Sequence, residues 1–157
     1  MRGHDPSRTG GFTLVELSVV IVLVSILASF AVPKFRSAVE RSRAGEAFNY
    51  LSAVRAAQER YVGRQGIYAA RVSFLDIKMP RPLYFTVGDG SDDPEIGAGE
   101  TGDLQDSWAL TLTRRGASAG YGAYTVIFGD DGFDAAASTI STNATLHQDI
   151  NPTVHSM

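Results

Sequence analysis

The hydrophobic pattern changes character once along the chain. Residues 12–32 are an almost unbroken apolar run in which Glu16 is the only charge. As a helix, that run is long enough to cross a hydrocarbon core of about 30 Å. From Lys34 the pattern turns amphipathic: Phe48, Leu51, Val54 or Arg55, Gln58, Tyr61 and Val62 recur every three or four residues, the period of a helix with one apolar stripe. Arg36, Glu40, Arg41, Arg43, Glu46, Arg55, Glu59, Arg60 and Arg64 mostly fall on the other faces, where charged side chains are solvated. Glu40 with Arg43, and Glu59 with nearby arginines, are spaced for i,i+3 or i,i+4 pairs worth only tenths of a kcal/mol. Gly63 and Gly66 are expected to end the helix, so residues 13–64 read as one helix of about 75 to 80 Å. Pro33 lies inside it and leaves the Ser29 carbonyl without a donor, which predicts a kink or local loosening. The hydroxyls of Ser25 and Ser29 are candidates for the freed carbonyls.

Beyond the helix, residues 67–82 read as a loop containing Pro80 and Pro82. Three segments, 81–87, 107–113 and 123–128, are rich in aromatic and β-branched residues, and Leu110 and Leu112 alternate with Thr111 and Thr113. Glycine-rich turns separate them, which predicts an antiparallel meander packed on the amphipathic half of the helix. The fold class is therefore α+β: a long N-terminal helix, membrane-spanning in its first half, on a small antiparallel sheet. The tail, 135–157, is rich in Ser, Thr and Ala and reads as an added edge strand or a loose end.

Composition narrows the function. The chain has 157 residues and a net charge of −3, and its fourteen Lys and Arg are scattered, so no nucleic-acid partner is expected. Cysteine is absent, which excludes disulfides, thiolate zinc sites and thiol catalysis. Arg2 and Arg8 precede the apolar run, and the bias of basic residues toward the inner face then puts the leader in the cytoplasm and the rest outside.

Glu16 distinguishes the readings of the run. In an ordinary secretory signal, cleaved at Ser29-Phe30-Ala31, or in a plain anchor, it would add about 2.5 to 3.5 kcal/mol to insertion and serve nothing. At Gly10-Gly11-Phe12-Thr13-Leu14-Val15-Glu16-Leu17, however, the chain resembles the type IV pilin family, whose precursors carry a short basic leader ending in glycine. The resemblance covers roughly residues 11–64. It implies cleavage by a membrane prepilin peptidase between Gly11 and Phe12, methylation of the new Phe12 amine, and retention of the apolar run. The domains are then a leader, 1–11; a transmembrane and filament-core helix half, 12–33; and an extracytoplasmic head, 34–157. Pro33 matches a proline common in the family, where the preceding segment can melt on assembly.

Cleavage before Phe12 would place an α-amino cation one helical turn from Glu16. The carboxylate could pair with its own amine or stay solvated at headgroup depth. Pairing with a neighbour's amine would additionally fix the stagger between two featureless apolar helices. Glu16 and Pro33 are thus the candidate assembly residues, and Gly11 and Phe12 the processing residues.

Residues 88–106 hold seven acids, no base and five glycines. Asp89, Asp92, Asp93, Glu95, Asp103 and Asp106 are candidate oxygen ligands for Ca²⁺, the one cofactor considered, although their spacing matches no EF-hand and a solvated loop is the simpler reading. Gly116-Ala117-Ser118-Ala119-Gly120 fits the G-x-S-x-G nucleophile pattern but lies between two strands instead of at a strand-to-helix turn, so it reads as a hairpin loop. His147 and His155 lie in the tail and His4 in the leader, and no catalytic dyad emerges.

The functional expectation is a non-enzymatic structural subunit of a type IV pilus-like filament, either a pilin or a type II secretion pseudopilin. It would reside in the inner membrane before assembly and in a periplasmic or cell-surface filament afterwards. Its partners would be copies of itself and related pilins, the prepilin peptidase, an inner-membrane assembly platform and membrane lipid. The rival is a membrane-anchored or secreted binding or hydrolase domain. Lack of cysteine favours a pseudopilin; the stretch after Tyr61, which lacks the proline common in major pseudopilins, disfavours one.

Overall fold

The computed structural model describes residues 11–154. They form two compact units that meet between Phe35 and Arg36. One helix, α1 (Leu14–Gln65), contributes to both.

In the first unit α1 is apolar and exposed throughout, and it is long and apolar enough to cross a membrane. The helix assignment continues through Pro33 without a break. The serine hydroxyls serve their own turns: Ser18 Oγ donates to the Val15 carbonyl, Ser25 Oγ to that of Ile21 and Ser29 Oγ to that of Ile26, at 2.7 to 2.8 Å. Each hydroxyl is thereby satisfied within an apolar stretch, and the Ser29 carbonyl is not their target.

In the second unit α1 buries Glu40, Ala44, Ala47, Tyr50, Leu51, Val54, Ala57 and Gln58. The stripe is wider than the large apolar residues suggested, because three alanines, Ala44, Ala47 and Ala57, are buried along it. Gly63 remains helical. The helix ends at Gly66, whose φ of +75° favours glycine and whose N–H donates to the Val62 carbonyl at 2.8 Å. Gln58 then ties the returning chain down: its amide donates to the Ala69 carbonyl at 2.9 Å and accepts from the Ala69 N–H at 2.8 Å, all buried.

The sheet has five strands, all antiparallel: β1 (Phe85–Val87), β2 (Gly97–Ala98), β3 (Trp108–Arg114), β4 (Thr125–Gly129) and β5 (Gly132–Phe133). β1 and β2 pair with successive parts of one edge of β3, and β4 takes the other edge, with Leu110 opposite Phe128 and Leu112 opposite Val126. The first expected strand shortens to its last three residues, because Leu83 and Tyr84 donate their N–H groups to the Glu46 carboxylate on α1 instead of to a neighbouring strand. Along β3, Trp108, Leu110, Leu112 and Arg114 are buried in strict alternation, the pleat placing every second residue on the helix-facing side.

As far as Val154 the tail is neither an edge strand nor loose. After β5 it forms α2 (Thr139–Thr142) and α3 (Ala144–Asp149), burying Ile140, Leu146 and Ile150 in the same core. Asn143 caps α3 by accepting from the N–H groups of Thr145 and Leu146. At the start of α2, the hydroxyls of Ser138 and Thr139 accept from the N–H groups of Ile127 and Thr125 at 2.9 and 2.7 Å. Two side chains thus occupy the β4 edge where another strand could have paired.

Candidate functional site

Gly11 and Phe12 precede the helix and are exposed, Phe12 at 90%. A Cβ at Gly11 would have no atom within 4 Å, so the bond between them is sterically open. Thr13 stands at the N-cap position. Its N–H donates to Glu16 Oε2 at 2.9 Å and its hydroxyl to the same oxygen at 3.0 Å, while the Glu16 N–H donates back to Thr13 Oγ1 at 3.2 Å. This is a capping box, in which two otherwise unpartnered N–H groups at a helix start are satisfied reciprocally. The T-x-x-E spacing that announces it is plain in the sequence. Glu16 therefore has a local role besides any intermolecular one, and its carboxylate is held back over the helix start by Thr13.

The acidic loop is dispersed. Asp93 accepts from the Ser73 N–H at 3.0 Å and the Ser73 hydroxyl at 2.8 Å, bonds that, with nearby Arg71, hold its pKa below the usual carboxylate range. Glu95 takes Arg71 Nη2 at 2.6 Å. Asp89 accepts from the Ser91 N–H, which lowers its pKa, and Asp103 from the Gln105 N–H. Asp92 and Asp106 are exposed. Among the described residues, no three His, Asp or Glu side chains are placed to hold a metal ion.

The site that composition gave least reason to expect lies inside the head. Glu40 is 0% exposed. Arg114 meets it with two parallel bonds, Nε to Oε2 at 3.0 Å and Nη2 to Oε1 at 2.9 Å, the geometry that suits a guanidinium to a carboxylate. Arg43 Nη1 reaches Oε1 at 2.9 Å, and Ser118 donates both its N–H and its hydroxyl there, at 3.0 and 2.8 Å. Burial pushes the Glu40 pKa up, but the bonds from Arg114 and Ser118 outweigh it and hold the group at about 2. Arg114 Nη1 donates to the carbonyls of Tyr84 and Arg115, while the guanidinium groups of Arg43 and Arg114 lie over the Tyr84 ring, 4.6 and 5.4 Å from its centroid. The expected Glu40–Arg43 pair is present, but Glu40 is not on a solvated face: it anchors the end of β3 and the following loop to α1. Ser118 spends its hydroxyl on that anchor, which accounts for the G-x-S-x-G stretch without chemistry. His147 lies next to Asn151, whose Nδ2 is 3.1 Å from its Nδ1. Arg2, Arg8, His4, Gly10 and His155 fall outside the described residues.

Residues 6–32 match the family model for the prokaryotic N-terminal methylation motif, and these residues include the Gly11–Phe12 bond, the capping box and all of the apolar run. Curated proteins resemble parts of the chain. The chain is 40% identical over 60 residues to fimbrial protein EcpC of Eikenella corrodens, covering 38% of this chain and 39% of that one. It is 37% identical over 62 residues to the type IV major pilin protein PilA of Myxococcus xanthus, covering 40% of this chain and 28% of that one. The chain is thus similar to fimbrial proteins and a type IV major pilin. A longer alignment, with a fimbrial protein of Pseudomonas aeruginosa, is 28% identical over 122 residues and covers 72% of this chain and 74% of that protein. The shorter alignments are thus the more identical ones. The chain spans about two fifths or less of the first two relatives it matches. No solved structure matches the chain.

Proposed function

We propose that this chain is a structural, non-enzymatic subunit of a type IV pilus-like filament, cleaved after Gly11, N-methylated at Phe12 and assembled through the first half of α1. The observation that carries the reading is the apolar surface of that half. From Leu14 to Phe30 its large hydrophobic side chains are more than half exposed, and the head's core contains none of them. Apolar surface on this scale needs lipid or other copies around it. Membrane insertion before assembly and burial among helices in a filament supply the two environments in turn. Relatives described as fimbrial proteins and as a major pilin favour a surface pilus over a secretion pseudopilus.

N-terminal sequencing of the membrane-extracted protein should return methylated Phe12; Val32 would mean ordinary secretion and Met1 a plain anchor. Glu16→Ala should leave synthesis, insertion and that cleavage intact and reduce sheared filaments to background, because an incoming Phe12 amine would be buried without a counter-charge. Glu16→Gln should also assemble poorly. Normal filament yield from Glu16→Ala, with cleavage confirmed, would limit Glu16 to the capping box.

A further inference from the structure

Arg43, Arg55, Arg60, Arg71 and Arg114 of the head each have a carboxylate within 3.9 Å. Arg81 and Arg115 are exposed and, among the described residues, have no such partner. Their guanidinium groups are tethered to backbone carbonyls instead. Arg81 donates from Nη1 to the Ser91 carbonyl at 3.1 Å and from Nη2 to the Asp92 carbonyl, and Arg115 donates from Nη2 to the Leu83 carbonyl at 3.1 Å. A guanidinium carries several N–H donors beyond those used here. Carbonyl tethers therefore position the two cations without neutralising them.

The two arginines meet at one cleft of about 140 Å³, walled also by β1 and by Gly90 and Ser91 in the turn that follows it. The Arg115 N–H donates to the Tyr84 carbonyl at 2.9 Å and the Gly88 N–H to the Thr111 carbonyl at 2.8 Å. Those bonds set the phase of the ladder, so the N–H groups of Phe85 and Val87 point away from β3. β1 is an edge strand, and the side chains of Phe85 and Val87 are buried in the core, so what they present to the cleft is backbone. Thr86, between them, adds a hydroxyl. Gly90 keeps the space open: its φ is +80°, and a Cβ there would stand 2.9 Å from Thr86 Cγ2. The Asp89 carboxylate is occupied by the Ser91 N–H at 3.1 Å.

These are mostly donors around two fixed positive charges. Guanidinium groups match phosphate through paired N–H···O bonds, and adjacent backbone N–H groups favour an anion as well. The cleft is well below the roughly 300 to 1,000 Å³ of a pocket for a whole organic ligand, so it suits one oxyanion group. Two cations favour a dianion over a carboxylate, which brings a single charge.

We propose that Arg81 and Arg115, with the Phe85 and Val87 N–H groups and the Thr86 hydroxyl, bind a phosphoryl group, either free phosphate or the phosphomonoester end of a larger molecule. The site lies wholly within the head and needs neither cleavage nor assembly.

The test titrates the detergent-solubilised full chain with inorganic phosphate at constant ionic strength and follows backbone amide shifts by NMR. Saturable shifts at Phe85, Thr86, Val87 and Gly90 are expected, with a dissociation constant on the order of 1 mM. Arg81→Gln and Arg115→Gln should each raise that constant about tenfold, the weight of one charge-assisted hydrogen-bonding group. Arg64→Gln, in the last turn of α1, should leave it unchanged. Because Arg81 also ties the turn after β1 to the chain before it, Arg115→Gln, whose side chain holds a single carbonyl, is the deciding variant. Glycerol phosphate distinguishes the sources: binding as tight as that of phosphate supports a phosphomonoester, and much weaker binding supports the free anion. Shifts that do not saturate, a constant indifferent to Arg115→Gln, or acetate bound as tightly as phosphate would overturn the proposal.

Discussion

The two halves of α1 each carry a glutamate with well-defined partners, and they use it in opposite ways. Glu16 is exposed and satisfied within its own first turn by Thr13. Glu40 is buried and satisfied from 74 and 78 residues away, by Arg114 and Ser118. A local partner leaves the surrounding helix surface available to another molecule, whereas remote partners commit it to its own domain. The same side chain, 24 residues later on one continuous helix, thus changes from a local cap to a tertiary anchor.

The largest expected effect comes from breaking the remote partnership. Arg114→Ala or Glu40→Ala leaves an uncompensated charge in the core and should destabilise the head by about 3 to 5 kcal/mol, read as a fall in the denaturant midpoint of the detergent-solubilised chain. Replacing both together, as in Glu40→Leu with Arg114→Met, should recover most of that loss, since no charge is then stranded. If the double variant were no better than either single one, the coupling would be packing and not charge.

Titration sharpens the same contrast. Folded Glu40 has a pKa of about 2 against 4.5 for the free group. Its ionised form is therefore favoured by folding, and the stabilisation is complete above pH 4.5 and lost as pH falls from there toward 2. The melting temperature should decline over that window, and Glu40→Leu with Arg114→Met should flatten the decline.

On the local side the effects are smaller. Thr13→Val removes the hydroxyl from the capping box and should speed amide hydrogen exchange at Glu16 and Leu17 by about fivefold, while Thr13→Ser should leave it unchanged. Neither should move the melting temperature of the head, whose core contains no residue of the first unit. The smallest expected effect is that of calcium. The acids of residues 88–106 are spent on Ser73, Arg71 and their own turns or are exposed singly, so millimolar Ca²⁺ should not raise the melting temperature. A rise would show that the loop can regroup its carboxylates around an ion.

How much of this was legible follows from the range of each interaction. The apolar run, the amphipathic change near Lys34 and the alternation through Leu110 and Leu112 are local periodicities, and the structure reproduces them as α1 and β3. The capping box is equally local and was available in Thr13-Leu14-Val15-Glu16. The Glu40 site was half-legible: extending the β3 alternation by one step puts Arg114 on the buried side, which raises the question of what neutralises it. Nothing local names Glu40 as the answer, because the pairing exists only once the sheet has closed on the helix. The tail was misread for a related reason. A stretch rich in Ser, Thr and Ala looks loose, yet Ile140, Leu146 and Ile150 are enough to seat it, and its hydroxyls find partners on a strand that composition does not reveal.

The hydroxyls on the β4 edge matter beyond the fold of one subunit. A chain held in a membrane at high local density presents its sheet repeatedly to identical sheets, the condition under which exposed backbone recruits more backbone and polymerises irreversibly. With the Thr125 and Ile127 N–H groups already engaged by Thr139 and Ser138, that backbone has less to offer a passing copy. On the proposed assembly, growth would be left to greasy helices, whose contacts carry no strand-to-strand ladder and can be undone, so a fibre built this way could be taken apart and its subunits used again.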